Sequence, residues 1–202
     1  MVQQSKKDLR KEMKVVMSNL DPRWASKAHP EVCAQLTALV DSVTESRRNR
    51  QVLAWIPCFP GEVDLAQFIA AMLRESSVYL PRVTQNGVME FVGIAEDWGA
   101  NLAPGARGIL QPRDGYGDRF EPQSGSEIFV ITPGLAFDHR GERLGRGAGH
   151  YDRFLAAPEL KGAIKIGVCW SIQLVPHVPT EHFDIKLDWI CHERGALKVG
   201  EV

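Results

Sequence analysis

A chain of 202 residues with 44% hydrophobic and 24% charged side chains has the composition of an ordinary globular protein, long enough for one domain with a sizeable core. Its formal net charge of −1 gives no overall field toward nucleic acid or an anionic membrane, so any anion site has to be built locally. No apolar run approaches the roughly 20 residues of a membrane span, and the polar N-terminus holds no signal-peptide core.

The four cysteines, at 33, 58, 169 and 191, form no CxxC pair and fit no zinc spacing. The expectation is four reduced thiols in a single-domain (1–202), monomeric, cytoplasmic protein, with no nucleic-acid or membrane partner.

Ser5, followed three residues later by Asp8, marks a helix start, and Leu9, Met13, Val16, Met17 and Leu20 then recur at helical spacing. Asp21-Pro22 ends that helix and opens another. Pro30 is expected to interrupt the second helical region, which resumes over 31–43, and Arg47, Arg48 and Arg50 read as a solvated connection.

From there strands and helices alternate. Residues 51–56 read as a buried strand, 65–74 as a helix capped by Asp64, and 77–81 and 88–94 as strands, the last after an Asn86-Gly87 turn. Residues 100–123, rich in Gly, Pro and Arg, read as a long loop. A strongly apolar strand follows at 128–132, then a loop over 133–149 and a short helix through Leu155. Strands at 164–170 and 187–191 complete the pattern, the latter expected to be the last. The alternation predicts an α/β fold: three layers, α/β/α, around a mainly parallel, Rossmann-like central sheet. Ligands in such sheets sit beyond the carboxyl ends of strands, here after Ile56, Thr132 and Trp170.

The strongest chemical signal follows the strand at 128–132. Gly145, Gly147 and Gly149 leave backbone N–H groups uncovered, and a helix starting near His150 adds its positive end. Arg143 and Arg146 carry planar charges suited to phosphate oxygens, and Asp152 is a hard oxygen ligand for Mg²⁺. The segment is not a Walker A loop and lacks the third glycine of G-x-G-x-x-G. By its residues alone it fits an arginine-bearing surface turn equally well.

Two weaker features accompany it. Lys6 and Arg10 share one helix face and could reach one polyphosphate, although such pairs are commonly just a solvated face. After the first strand, Phe59, Glu62 and Asp64 put an aromatic and two carboxylates at one turn. They could recognise a heterocycle, or Asp64 could be only a helix cap. The six histidines form no metal motif, and no nucleophile elbow or Cys-His protease pattern is present.

In this order, KKDLR (6–10), EVD (62–64), YLPRV (79–83), GILQP (108–112), PGLAFD…RLGRGAGHYDRFL (133–155) and VPTEHFDIKLDWI (178–190) resemble the 5-formyltetrahydrofolate cyclo-ligase family over nearly the whole chain. The resemblance implies an enzyme that uses ATP and Mg²⁺ to close 5-formyltetrahydrofolate to 5,10-methenyltetrahydrofolate through a phosphorylated formyl group, releasing ADP and phosphate.

The site residues follow by position in the family's motifs. Lys6, Arg10, Arg143, Leu144, Gly145, Arg146, Gly147, Ala148, Gly149, His150 and Tyr151 fall at nucleotide-binding positions, with Arg146, Tyr151 and Lys6 catalytic. Phe59, Glu62, Asp64 and Arg107 fall on the substrate side, and Asp152 and Asp184 at the metal. The chain departs from the family at Ala148 (usually glycine or lysine), His150 (an aromatic), Leu65 (threonine) and Arg107 (often tryptophan). The departures at Leu65 and Arg107 keep a second expectation in play, an ATP-dependent paralogue acting on another substrate. A non-catalytic folate or nucleotide binder is the third.

Overall fold

The computed structural model describes residues 4–44, 49–105 and 108–201. Helix α1 spans Lys6–Ser18 and starts where expected, with the Ser5 hydroxyl accepting from the Asp8 amide at 3.2 Å. Helix α2, Pro22–Val43, begins with Pro22 in its first turn and with Asp21 accepting from the Arg23 amide at 2.9 Å.

Pro30 does not divide this helix, contrary to the expectation from sequence. A proline inside a helix costs about 3 kcal/mol through one lost hydrogen bond and a steric clash. Seven buried residues on the same helix, from Ala25 to Val40, offset that cost by packing on the sheet.

The remaining elements are β1 (Arg50–Leu53), α3 (Ala66–Met72), β2 (Ser77–Val83), β3 (Met89–Gly93), β4 (Leu102–Pro104), β5 (Leu110–Pro112), β6 (Glu127–Thr132), β7 (Ala136–Phe137), β8 (Arg143–Leu144), α4 (His150–Leu155), β9 (Ile164–Val168), β10 (Trp189–His192) and β11 (Gly195–Lys198). Four expectations are corrected here. The 100–123 segment contains the antiparallel ribbon β4–β5, and the 133–149 segment contains the small hairpin β7–β8. Strand β10 is followed by β11. Arg50 is buried, not solvated: it opens β1 and donates to Asp41 at 2.6 Å and to Ser76 at 3.1 Å. Arg47 and Arg48 lie outside the described residues.

Seven strands form the central sheet in the order β11-β10-β9-β6-β1-β2-β3. The five inner strands are parallel, and each edge strand pairs antiparallel. Alternate residues of β1 and β6 face opposite layers. Val52, Phe129 and Ile131 pack with α2 and α3, whereas Leu53 and Val130 pack with Leu155 of α4 and Leu160. Both faces are therefore covered, giving the expected three-layer α/β/α fold.

From β1 the chain crosses through α3 to β2 on one side, while β6 leads through α4 to β9 on the other. The direction of winding reverses between β1 and β6, so their carboxyl ends open a crevice. Helix α1 lies over this end, with Leu9 and Met13 buried against Leu135, Ala136, Leu144 and Val178.

Candidate active site

The loop after β6 supplies the basic part of the crevice. The β7–β8 hairpin fixes its stem, with the Leu135 amide donating to the Leu144 carbonyl at 2.7 Å. Arg10 then reaches across from α1 and donates Nε–H to the Gly145 carbonyl at 2.9 Å. Gly147 has φ of +111° and Gly149 +64°, backbone conformations that side chains with a Cβ disfavour. A Cβ on Gly147 would stand 3.8 Å from the Arg10 guanidinium. The turn is thus tied to α1 and is not a loose arginine-bearing surface loop.

Arg143, Arg146 and Lys6 are each closed on a carboxylate, whereas Arg10 bonds the Gly145 carbonyl. Arg143, with 7% of its surface exposed, donates Nη2–H to Asp152 Oδ1 at 2.6 Å, and its buried Nε–H has no partner among the described residues. Its guanidinium lies 5.4 Å from the centre of the Tyr151 ring. Arg146 donates Nε–H and Nη2–H to Glu62 Oε1 at 3.3 and 3.0 Å, with its guanidinium carbon 3.6 Å from the Phe59 ring centre. The other oxygen of Glu62 accepts from the amides of Cys58 and Phe59 at 2.8 and 3.1 Å. Lys6 donates to Asp184 at 2.6 Å and to Glu181 at 2.8 Å. Burial disfavours its charge, but these two carboxylates outweigh burial and raise its pKa.

Tyr151 sits at the centre of this arrangement. Its hydroxyl is buried without a partner among the described residues. Burial pushes its pKa well up, more than the Arg143 charge pulls it down, and the nearby Cys58 and Glu62 add to the rise. The phenol is therefore a hydrogen-bond donor at any physiological pH. Burial, followed by the Glu62 charge, pushes the Cys58 thiol up to about 11, so it is not a thiolate nucleophile.

The remaining sequence-predicted residues fall in several places. Leu144 is 1% exposed and packs in the core beneath the loop, leaving only its backbone toward the crevice. His150 opens α4 with Nδ1 3.3 Å from Arg153, and both line a cavity of about 500 Å³ walled by Phe91, Phe120 and Phe154. Asp64 accepts from the Ala66 amide at 2.9 Å but stands one residue before the N-cap position of α3, which is Leu65 and not Asp64 as expected. Leu65 is fully buried, so the departure there changes core packing and not the lining of the site. Ala148 lies in the loop between the two positive-φ glycines. Arg107 lies outside the described residues.

Among the described residues no group of three or more His, Cys, Asp or Glu is arranged to hold a metal ion. Asp152 and Asp184 each have one oxygen engaged by a cation and a second without a hydrogen bond among the described residues. Such a donor set fits Mg²⁺ carried on phosphates, which commonly takes only one or two protein carboxylates.

Sequence reasoning did not single out Glu181, which shares Lys6, or His29 and Trp170, which brace the turn carrying Glu62. Glu181 stands in the 178–190 motif and could have been found there. The other two carry no local signal.

Residues 2–193 match the family model described as the 5-formyltetrahydrofolate cyclo-ligase family. The chain is 28% identical over 188 residues to the 5-formyltetrahydrofolate cyclo-ligase of Haemophilus influenzae, covering 91% of this chain and 95% of that protein. It is likewise 28% identical over 211 residues to the Saccharomyces cerevisiae protein of the same name, covering 96% and 97%. In three dimensions it resembles the NMR structure of Aquifex aeolicus 5,10-methenyltetrahydrofolate synthetase, with a TM-score of 0.76 at 29% identity over 98% of this chain and 94% of that one.

Proposed function

The chain belongs to the 5-formyltetrahydrofolate cyclo-ligase family and is an enzyme of the cyclo-ligase class, and from this premise we propose that it closes 5-formyltetrahydrofolate to 5,10-methenyltetrahydrofolate with ATP and Mg²⁺. In this reading the formyl oxygen attacks the terminal phosphorus of ATP, forming an O–P bond as the bond to ADP breaks. N10 then attacks the activated carbon, the C–O bond breaks, N10 loses its proton and phosphate leaves. Little covalent work falls to the protein, which orients the groups and stabilises the phosphate charge.

The seating of Arg146 carries this reading. Its guanidinium is held between the Glu62 carboxylate and the face of Phe59, and it projects from the loop that Arg10 fastens to α1. It joins the two sides proposed from sequence, phosphate on the loop side and substrate on the turn side. In the proposed complex Arg143 and Arg146 take the phosphate oxygens, Lys6 and Arg10 hold the polyphosphate with the backbone of residues 145–149, and the Tyr151 hydroxyl donates between the two reactants. Asp152 and Asp184 would hold Mg²⁺, which neutralises phosphate charge when bound. The substrate's ring system is proposed to lie on the turn side, beside Phe59, and not in the cavity next to His150, whose lining contains none of the residues assigned to the substrate.

We further read the chain as one domain acting as a cytoplasmic monomer. No helix among the described residues is long and apolar enough to cross a membrane.

The deciding experiment mixes the protein with Mg-ATP and 5-formyltetrahydrofolate and follows the near-ultraviolet band of the methenyl product. Product formation that requires ATP is the expected result. Absence of product at high enzyme concentration, while Mg-ATP still raises the melting temperature, would move the reading to another substrate.

A further inference from the structure

The turn at residues 61–64 carries Glu62 into the site, and both its ends are held by side chains from elsewhere in the fold. The Trp170 indole N–H, at the carboxyl end of β9, donates to the Gly61 carbonyl at 2.6 Å. The Asp64 amide donates to Nδ1 of His29 on α2 at 2.9 Å. The two braces touch, with the His29 and Trp170 ring centres 5.1 Å apart, and Trp24 stands edge-on to Trp170 at 5.0 Å. On its third side the turn abuts α1, since a Cβ on Gly61 would come within 2.5 Å of the Met17 carbonyl oxygen. Trp170 is fully buried, so this brace belongs to the rigid core.

We propose that His29 and Trp170 are positioning residues, clamping the turn at both ends so that Glu62 meets Arg146, and that His29 does so only as the neutral imidazole. The proposal rests on the cyclo-ligase reading for what Glu62 and Arg146 do, but the clamp itself is a matter of geometry. The Asp64 amide can only donate, so Nδ1 must be unprotonated and the ring proton sits on Nε2. Protonation would set two donors against each other and loosen the Asp64 end of the turn, leaving it the weaker hold of the Cys33 thiol on the Asp64 carbonyl at 3.3 Å. A shift of the Glu62 carboxylate would then spread to Arg146, because Glu62 ties the Cys58 and Phe59 amides to that arginine.

The groups facing His29 are consistent with a neutral ring. Trp170 and Trp24 are uncharged, Cys33 one turn along α2 is a buried thiol with its pKa raised by burial, and among the described residues Asp64 is the charge that acts on the ring. Burial lowers the His29 pKa below its ordinary 6.5, outweighing the Asp64 charge, which acts to raise it. The folded state therefore binds this proton less readily than the unfolded chain. The clamp is complete near neutrality and is lost as pH falls through the lowered value.

Three variants test the clamp. His29→Asn keeps an acceptor near Nδ1 and cannot titrate, His29→Leu removes the acceptor, and Trp170→Phe keeps the ring but loses the donor. For the wild type we expect kcat/KM to fall on the acid side with a midpoint below 6.5. His29→Asn should retain most of the neutral-pH rate and lose that limb. His29→Leu and Trp170→Phe should lose about tenfold or more in kcat/KM at neutral pH, as expected of a misplaced catalytic group.

Hydrogen exchange of the Asp64 amide, corrected for its intrinsic pH dependence, gives a readout independent of turnover. It should lose protection in acidified wild type and stay protected in His29→Asn. This comparison stands even if the leucine variant does not fold or the natural substrate differs. If wild type turns over no 5-formyltetrahydrofolate, the cyclo-ligase reading fails while amide exchange still judges the clamp. An acid limb and an Asp64 exchange profile that are identical in wild type and His29→Asn would overturn it.

Discussion

Replacing Tyr151 with phenylalanine should stabilise the free protein and impair the enzyme. The hydroxyl is buried and unpartnered among the described residues, within the influence of Arg143, Cys58 and Glu62. A buried polar group left unsatisfied costs about 1–3 kcal/mol. The ring packs with Phe91, whose centre lies 6.4 Å away, and phenylalanine keeps that contact. Removing the oxygen alone is therefore worth about 1 kcal/mol to the fold, or about 2–4 °C in melting temperature for a chain of this length.

A hydrogen bond from this hydroxyl to a charged phosphate or activated formyl oxygen would be worth about 1.5–3 kcal/mol, so kcat/KM should drop about ten- to a hundredfold. Thermal melting without ligands and initial rates with Mg-ATP and 5-formyltetrahydrofolate measure the two effects. A lower melting temperature for Tyr151→Phe would mean that solvent or protein already satisfies the hydroxyl. Unchanged kinetics would remove it from the reaction. Either result refutes the view of Tyr151 as a donor held in reserve for the ligands.

Two further outcomes follow from the same geometry. Arg146→Ala should lower kcat by about a hundred- to a thousandfold, the scale of losing one fixed donor to transition-state charge; turnover equal to wild type would disprove the assignment of the phosphate loop. Asp138 should contribute to acid stability. Burial acts to raise its pKa, but hydrogen bonds from Arg140 and from the Val178, Arg140 and Glu142 amides prevail and hold it below the ordinary 3.8. A depressed carboxylate contributes stability above its unfolded value and loses it as pH falls through the folded value. Melting temperatures taken from neutral pH downward should therefore decline more steeply in wild type than in Asp138→Asn, which starts lower and responds less.

Local rules made much of the fold legible. Ser5 and Asp21-Pro22 set helix boundaries through their own side chains, and the apolar runs at 51–56 and 128–132 read as buried strands, although β1 ends at Leu53. The misses share a cause. Strands β4, β5, β7 and β8 are two or three residues long, too short for any periodicity, and lie outside the central sheet. Strand β11, Gly195–Lys198, is a half-exposed edge with no apolar alternation. At Pro30 tertiary burial overrode a strong local signal.

In the candidate site, the family motifs suggested residues but not their partners. Lys6 meets Asp184 across 178 positions, Arg10 meets Gly145 across 135, and Arg146 meets Glu62 across 84. No spacing rule encodes such pairs, and His29 carries no motif at all.

Those long-range pairs bear on how a chain of nearly zero net charge would serve the proposed polyanion. Lys6, Arg143 and Arg146 are each closed on a carboxylate, Asp184, Asp152 and Glu62 respectively. Phosphates arriving alone would draw Arg143, whose side chain is 3% exposed, away from Asp152 and leave that carboxylate without its counter-ion. A divalent cation arriving with the phosphates gives the carboxylate a new partner, so each charge exchanges one neighbour for another. ATP and Mg²⁺ should then bind with reciprocal coupling of about 1–3 kcal/mol. Asp152→Asn separates the two effects, because it frees Arg143 while removing a ligand for the cation. Measured by thermal shift or calorimetry, this variant should bind ATP in EDTA more tightly than wild type and Mg-ATP more weakly. Equal affinity of both proteins for metal-free ATP would show that Asp152 does not compete with phosphate for Arg143, and the exchange of partners would fail as the basis of the site.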